Sequence, residues 1–165
     1  IGSQLEVVVF NYCMMTQANL EACLRLLPNV KQLTLLSSAM TFGERELAEP
    51  PKTSFHSSIL MKMAPTLDPD GDSPGWCPKV ESLFITLDST GRAFTDHDLV
   101  RYILRKKTME GEQKSRLKSI TVHFMTSRMV DVRASLEEKG VDMDGLSLTV
   151  AYNSYCPSSH GLDSV

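Results

Sequence analysis

The sequence predicts an α/β chain of repeating strand–loop–helix units. Their strands join side by side into one parallel sheet that extends as a solenoid, with the helices on its convex side. Three observations predict this. One short apolar pattern recurs five times, two of the spacings between copies are nearly equal, and between copies the apolar period lengthens from strand-like to helix-like.

The pattern is an apolar residue, two free positions, a second apolar residue, one free position and a third. It occurs as Leu5-x-x-Val8-x-Phe10, Val30-x-x-Leu33-x-Leu35, Val80-x-x-Leu83-x-Ile85, Leu117-x-x-Ile120-x-Val122 and Met143-x-x-Leu146-x-Leu148. The first copy runs on through Cys13 and Met15, which completes the longer leucine-rich form with conservative substitutions. Successive starts lie 25, 50, 37 and 26 residues apart. The shortest two fall inside the window of about 20–29 residues that defines leucine-rich repeats. The 50-residue interval holds either two units, one eroded, or one unit with a long insertion, and the 37-residue interval reads as one lengthened unit. Two copies share an approach to the strand, Leu27-Pro28-Asn29-Val30 and Cys77-Pro78-Lys79-Val80. The fold class is therefore a leucine-rich-repeat-like, ribonuclease-inhibitor-like solenoid with irregular repeats. A two-layer α/β domain made of the same elements is the alternative.

Between the strands, helices are expected where apolar residues fall on one stripe. Thr16 is placed to N-cap a helix over 17–27 with Leu20, Cys23, Leu24 and Leu27 on its inner side. Thr95 and Asp98 form a capping box, with Asp for the usual Glu or Gln, ahead of a helix over 96–107 that buries Leu99, Tyr102 and Ile103. Arg105, Lys106 and Lys107 complement its C-terminal dipole. A third helix is expected over 129–139 with Gly140 as its C′ residue. The stretch 41–76 reads as an insertion with a short helix near 57–63, and 153–165 as a flexible tail rich in Ser, Gly and Pro. One domain spans 1–152.

Composition narrows the function. The 165 residues carry net charge −3 and 7% aromatics, so no overall field draws the chain to nucleic acid or anionic lipid. No apolar run approaches the roughly 20 residues that span a bilayer. Cys13, Cys23, Cys77 and Cys156 form no C-x-x-C pair and no zinc spacing, and their setting fits a reduced, intracellular compartment, cytoplasmic or nuclear. The chain opens on Ile1 without an initiator Met, which reads as a fragment whose natural start lies upstream.

Three stretches resemble a known family. Leu24-Arg25-Leu26-Leu27-Pro28-Asn29-Val30-Lys31-Gln32-Leu33-Thr34-Leu35 is similar to its leucine-Pro-Asn-leucine junction into a strand. Cys77-Pro78-Lys79-Val80-Glu81-Ser82-Leu83, followed by Phe94-Thr95-Asp96-His97-Asp98-Leu99-Val100, resembles its Cys-Pro-x-Leu-Glu strand and helix opening. Arg116-Leu117-Lys118-Ser119-Ile120-Thr121-Val122 resembles a late strand with a basic lead. The family resembled is the F-box proteins of mushroom-forming (basidiomycete) fungi, in their C-terminal region, and the likeness spans about Leu5 to Tyr152 of this chain. It implies that this part selects a protein substrate. An F-box ahead of Ile1 would dock the Skp-type adaptor of a cullin ubiquitin ligase. A stand-alone leucine-rich-repeat interaction protein is the second reading, and a small hydrolase-type enzyme using His97 or His123 the third.

Candidate chemistry is sparse. Asp68-Pro69-Asp70-Gly71-Asp72 echoes a calcium loop, but Ser73 stands where Gly is needed and Lys79 where a bidentate Glu belongs, so a solvated turn is expected. His56, His97, His123 and His160 lack a nucleophile motif beside them, and no phosphate-cradling glycine loop occurs. The basic run from Arg105 to Lys118 is broken by Glu110 and Glu112 and carries no interleaved aromatic, so it reads as a solvated loop. No catalytic residue, metal site or cofactor is expected.

The expected working surface is the concave sheet face. The apolar positions of the repeat point inward, so the free positions beside them point outward. They are Val7, Val9 and Asn11; Gln32 and Thr34; Ser82, Phe84 and Thr86; Ser119, Thr121 and His123; and Ser147 and Thr149. Phe84 amid small polar residues is a natural anchor for a protein partner. The competing reading has Val7, Val9 and Phe84 covered by the insertion or by repeats upstream.

Overall fold

The computed structural model describes residues 4–37, 55–64, 75–87, 93–109 and 116–152. Among them five parallel strands form one sheet in strict sequence order, β1 (Val7–Asn11), β2 (Gln32–Leu36), β3 (Ser82–Thr86), β4 (Ser119–Phe124) and β5 (Ser147–Tyr152). Four α-helices accompany them: α1 (Gln17–Arg25), α2 (Ser57–Met63), α3 (Asp96–Met109) and α4 (Val132–Glu138). A 3-10 turn, Tyr12–Met14, follows β1 directly.

Register aligns the first four repeats. The fifth is shifted two residues from the expected Met143-x-x-Leu146-x-Leu148: Leu148 stands opposite Ile120 and Val150 opposite Val122, because the turn ahead of β5 holds Leu146 N–H on Met143 O. Val8, Leu33, Leu83, Ile120 and Leu148 stand opposite one another across the sheet, and so do Phe10, Leu35, Ile85, Val122 and Val150. The central members of both rows are buried, and those on the outer strands β1 and β5 are half-buried. These rows share one core with Leu20 and Leu24 of α1, Ile59, Leu60 and Met63 of α2, Leu99, Tyr102 and Ile103 of α3, and Val132 and Leu136 of α4. The alternation of the strand and the stripe of the helix meet in that layer.

The helix ends follow local chemistry. The Thr16 hydroxyl accepts the Asn19 N–H at 3.2 Å, as an N-cap should. Thr16→Ala should cost about 1 kcal/mol in a urea unfolding titration, and an unchanged midpoint would remove the cap from the account of α1. Thr95 and Asp98 close the expected box: Asp98 Oδ2 accepts the Thr95 N–H, and Thr95 Oγ1 accepts the Asp98 N–H. Helix α1 stops at Arg25, two residues before the expected end, yet Leu27 is still buried. The last helix starts at Val132 instead of 129, because Asp131 caps it through the Ala134 N–H. Gly140 follows it at φ +71°, the left-handed C′ position.

The shared junctions are one recurring turn. Val30 N–H reaches Leu27 O, Val80 N–H reaches Cys77 O, and Leu146 N–H reaches Met143 O. Lys79 Nζ spans two of these turns to Asn29 Oδ1 at 2.6 Å. Cys77 holds φ +49°, its thiol donates to the Leu24 carbonyl, and burial pushes that thiol up to about 11. Of the expected insertion, helix α2 and the segment from Gly75 onward are described. Gly75 sits at φ +71°, where an added Cβ would come 2.7 Å from Ala64 O, so only glycine fits. The rest of the insertion, the acidic cluster at 68–72, His160, Cys156 and the tail lie outside the described residues.

Candidate functional site

The outward sheet positions form rows as regular as the buried ones. Val7, Gln32, Ser82, Ser119 and Ser147 stand in one, and Val9, Thr34, Phe84, Thr121 and Thr149 in the next. Asn11 faces Leu36, and Thr86 faces His123 and through it Ala151. The register thus brings the thirteen expected positions onto one sheet.

Their accessibility differs. Val7 and Val9 are 58% and 59% exposed, so nothing among the described residues covers them. Phe84 is half-buried, because its ring meets the His123 ring edge-on at 5.2 Å between centroids. Ser119 donates its hydroxyl to Ser82 Oγ at 2.8 Å, tying the first row together. Thr86 corrects the expected surface: it is buried, at 2% exposure. Its Oγ1 accepts the Ser37 N–H at 2.8 Å, and its carbonyl accepts the Tyr12 hydroxyl. A hydroxyl spent on the backbone beyond β2 is not available to a partner. The Asn11 amide oxygen is also sheltered, with no hydrogen-bond partner among the described residues.

The rows carry no carboxylate, ammonium or guanidinium, and charge is confined to the strand starts. Glu6, Lys31, Glu81 and Lys118 each occupy the position just ahead of a strand, and they alternate in sign. Lys31 pairs with Glu6 at 2.7 Å and Lys118 with Glu81 at 2.7 Å. The hydrogen bond from Lys118 holds the Glu81 carboxyl below its ordinary range, and Lys31 adds to that from the other side. The Glu6 hydrogen bond raises Lys31, again with Glu81 contributing.

An arrangement that periodicity does not reveal forms at the opposite ends of the strands. Five aromatic rings run in a file from Tyr12 through Phe55, Phe94 and Phe124 to Tyr152, with centroids 5.3 to 5.6 Å apart. A cavity of about 280 Å³ opens beside it, lined by Phe94, Thr95, Asp96, Phe124, Thr126, Ser127 and Met129. Asp96, 3% exposed, accepts the Met129 and Val130 N–H groups on Oδ2, both at 2.8 Å, and the His97 N–H on Oδ1. Its carboxylate is committed to holding the loop after β4 against the start of α3. The only sequence cues were that acid in the first turn and the equal spacing of Phe124 and Tyr152 from Ile120 and Leu148.

The other singled-out groups are dispersed. His97 is exposed in the first turn of α3, and His56 caps α2 by accepting the Ser58 N–H. Lys106, expected in a solvated basic run, is buried at 2% because it lies on the inner side of α3. No group of three or more His, Cys, Asp or Glu among the described residues could hold a metal ion. No helix of the described residues is long and apolar enough to cross a membrane. The chain matches no family model, no curated protein and no solved structure.

Proposed function

We propose that the chain is a protein-binding module, a leucine-rich-repeat-like solenoid whose outward sheet face is the contact surface. The observation that carries this reading is the register: uncharged, mostly small side chains stand in straight rows, with Phe84 at their centre and Val7 and Val9 exposed at one side. Such a surface suits an extended or ridged protein partner. It desolvates cheaply, and its aromatic and valines supply the apolar contact. On the resemblance of its junctions to fungal F-box proteins, the partner is read as a substrate for a cullin ubiquitin ligase. The Skp-type adaptor would bind through an F-box elsewhere in the parent protein.

Precipitating the tagged parent protein from its host and identifying companions by mass spectrometry tests the ligase role. Recovery of a Skp-type adaptor with a cullin is the expected result; other partners without them would leave a plain binding module. The surface is tested separately on a recovered partner. Val9→Asp and Phe84→Asp should each weaken binding at least about tenfold, the loss expected of an interface anchor. Leu26→Asp, also at an exposed apolar residue (70%) but at the C-cap of α1, should change nothing. Equal affinities for all three variants would move the contact away from the sheet.

A further inference from the structure

The cavity beside the aromatic file takes no part in the outward-face contact, and its walls are held in place. It lies between the start of α3 and the loop after β4, at the carboxyl ends of the strands, where parallel sheets commonly take their ligands. Buried Asp96 accepts three backbone N–H groups, those of His97, Met129 and Val130. The Tyr152 hydroxyl reaches the same carboxylate at 3.5 Å. This network pins both sides of the opening.

The rim could close the cavity and does not. An apolar void costs stability, because the atoms lining it lack contacts on one side. Methionine is the side chain that adapts most readily to such gaps. Met129 lines this one, yet it stands 71% exposed. The space is left open to a guest.

Size and shape define that guest. The volume is about 280 Å³. An apolar cavity of about 150 Å³ holds benzene, and sites for drug-sized ligands begin near about 300 Å³. One ring with a short arm therefore fits. Both faces of the Phe124 ring are covered, by Phe94 at 8° and by Tyr152 at 13°, so Phe124 meets the cavity with its edge. A ring edge attracts the face of another ring, and the Met129 sulfur also favours an aromatic neighbour.

Polarity and charge complete the description. Thr126 and Ser127 are exposed at the mouth, and their hydroxyls are unpaired among the described residues. The Thr95 hydroxyl, by contrast, donates to Asp98. No cationic side chain is among the described lining residues, and the Asp96 carboxylate disfavours an anion beside it. An ammonium group would shed its water and find the Asp96 oxygens already committed.

We propose that this cavity binds a small uncharged molecule made of one aromatic ring and a short hydroxyl-bearing arm. The ring lies against Phe94 and Phe124, and the hydroxyl lies among Thr126 and Ser127. The site is independent of the outward-face reading above.

The probes are benzyl alcohol, benzylammonium and benzoate, alike in shape and different in charge, each titrated into the 15N-labelled full chain. Benzyl alcohol should bind saturably and shift the amides of residues 94–96 and 126–130. The two charged probes should bind several-fold more weakly. Thr126→Trp sets a ring in the mouth from an exposed position, so the variant should fold and lose benzyl alcohol binding. Phe84→Asp, on the outward face, should leave that binding unchanged. The proposal is overturned if benzyl alcohol does not saturate, if the three probes bind alike, or if a charged probe binds best. It fails equally if the shifts fall on the outward rows, if Phe84→Asp abolishes binding, or if Thr126→Trp binds benzyl alcohol as the natural chain does.

Discussion

Asp96→Ala should lower the unfolding free energy by about 3 kcal/mol, a large part of the roughly 5–15 kcal/mol that holds a domain of this size together. The side chain is 3% exposed and is the first residue of α3, where the helix dipole favours an anion. Its Oδ2 takes the Met129 and Val130 N–H groups at 2.8 Å, two charge-assisted bonds, and a longer contact of 3.5 Å from the Tyr152 hydroxyl. Alanine deletes the acceptor and leaves the donors. Asparagine keeps the shape and one acceptor oxygen, so Asp96→Asn should cost about half as much. Urea titrations of the three proteins measure this. A second readout separates the local effect from general loosening. Burial first, and then the Asp96 charge, pushes the Tyr152 phenol from 10.0 up to about 12. A phenol raised on folding contributes stability below pH 10, and that contribution is lost as the pH rises toward 12. Without the carboxylate the Tyr152 resonance, followed by 13C NMR of labelled tyrosine, should titrate at lower pH. If stability and titration both stay put, Asp96 does not anchor the loop.

What the sequence made legible was the part set by periodicity. The buried positions Leu33, Leu83 and Ile120 and the outward positions Thr34, Phe84 and Thr121 are fixed once the strand and its inner face are known. In-register pairing of β1 to β4 then follows from aligning the repeats, whereas the fifth copy aligned that way is two residues off, since Leu148 and not Leu146 faces Ile120. Thr16, Thr95 and Asp98 were readable because a cap is satisfied within three residues. Contacts between distant segments were not. Thr86 looks like its outward neighbours in sequence, and its buried contacts are with distant residues, Ser37 49 positions away and Tyr12 74 positions away. The Asp96 bonds span 33 and 34 residues, between a helix start and a loop with no pattern of its own. Lys106 reads as part of a basic helix end, but α3 runs on to Met109, so that turn still has an inner side facing the core. The charge alternation at the strand starts shows only after the repeats are stacked.

The second large effect belongs to the aromatic file. Phe124 is 1% exposed and lies nearly parallel to both neighbours, 8° from Phe94 at 5.6 Å and 13° from Tyr152 at 5.3 Å. Phe124→Ala should cost about 4 kcal/mol, the transfer energy of the ring plus that of the void, which would open into the adjoining cavity. Phe124→Leu keeps most of the volume and should cost about 1.5 kcal/mol. A double-mutant cycle with Phe94→Leu should leave a coupling of about 0.5–1.5 kcal/mol, because the two rings touch directly. Additivity would mean that each ring is merely buried and the file is an accident of packing. Phe124 and Phe84 also test the two faces against each other. Phe124 points into the core from β4, while Phe84 stands on the outward face of β3. Phe124→Leu should therefore lower stability and leave partner affinity unchanged, and Phe84→Asp should do the reverse. If Phe124→Leu weakened binding as much as Phe84→Asp, the partner would be held at the strand ends, beside the cavity, instead of on the rows.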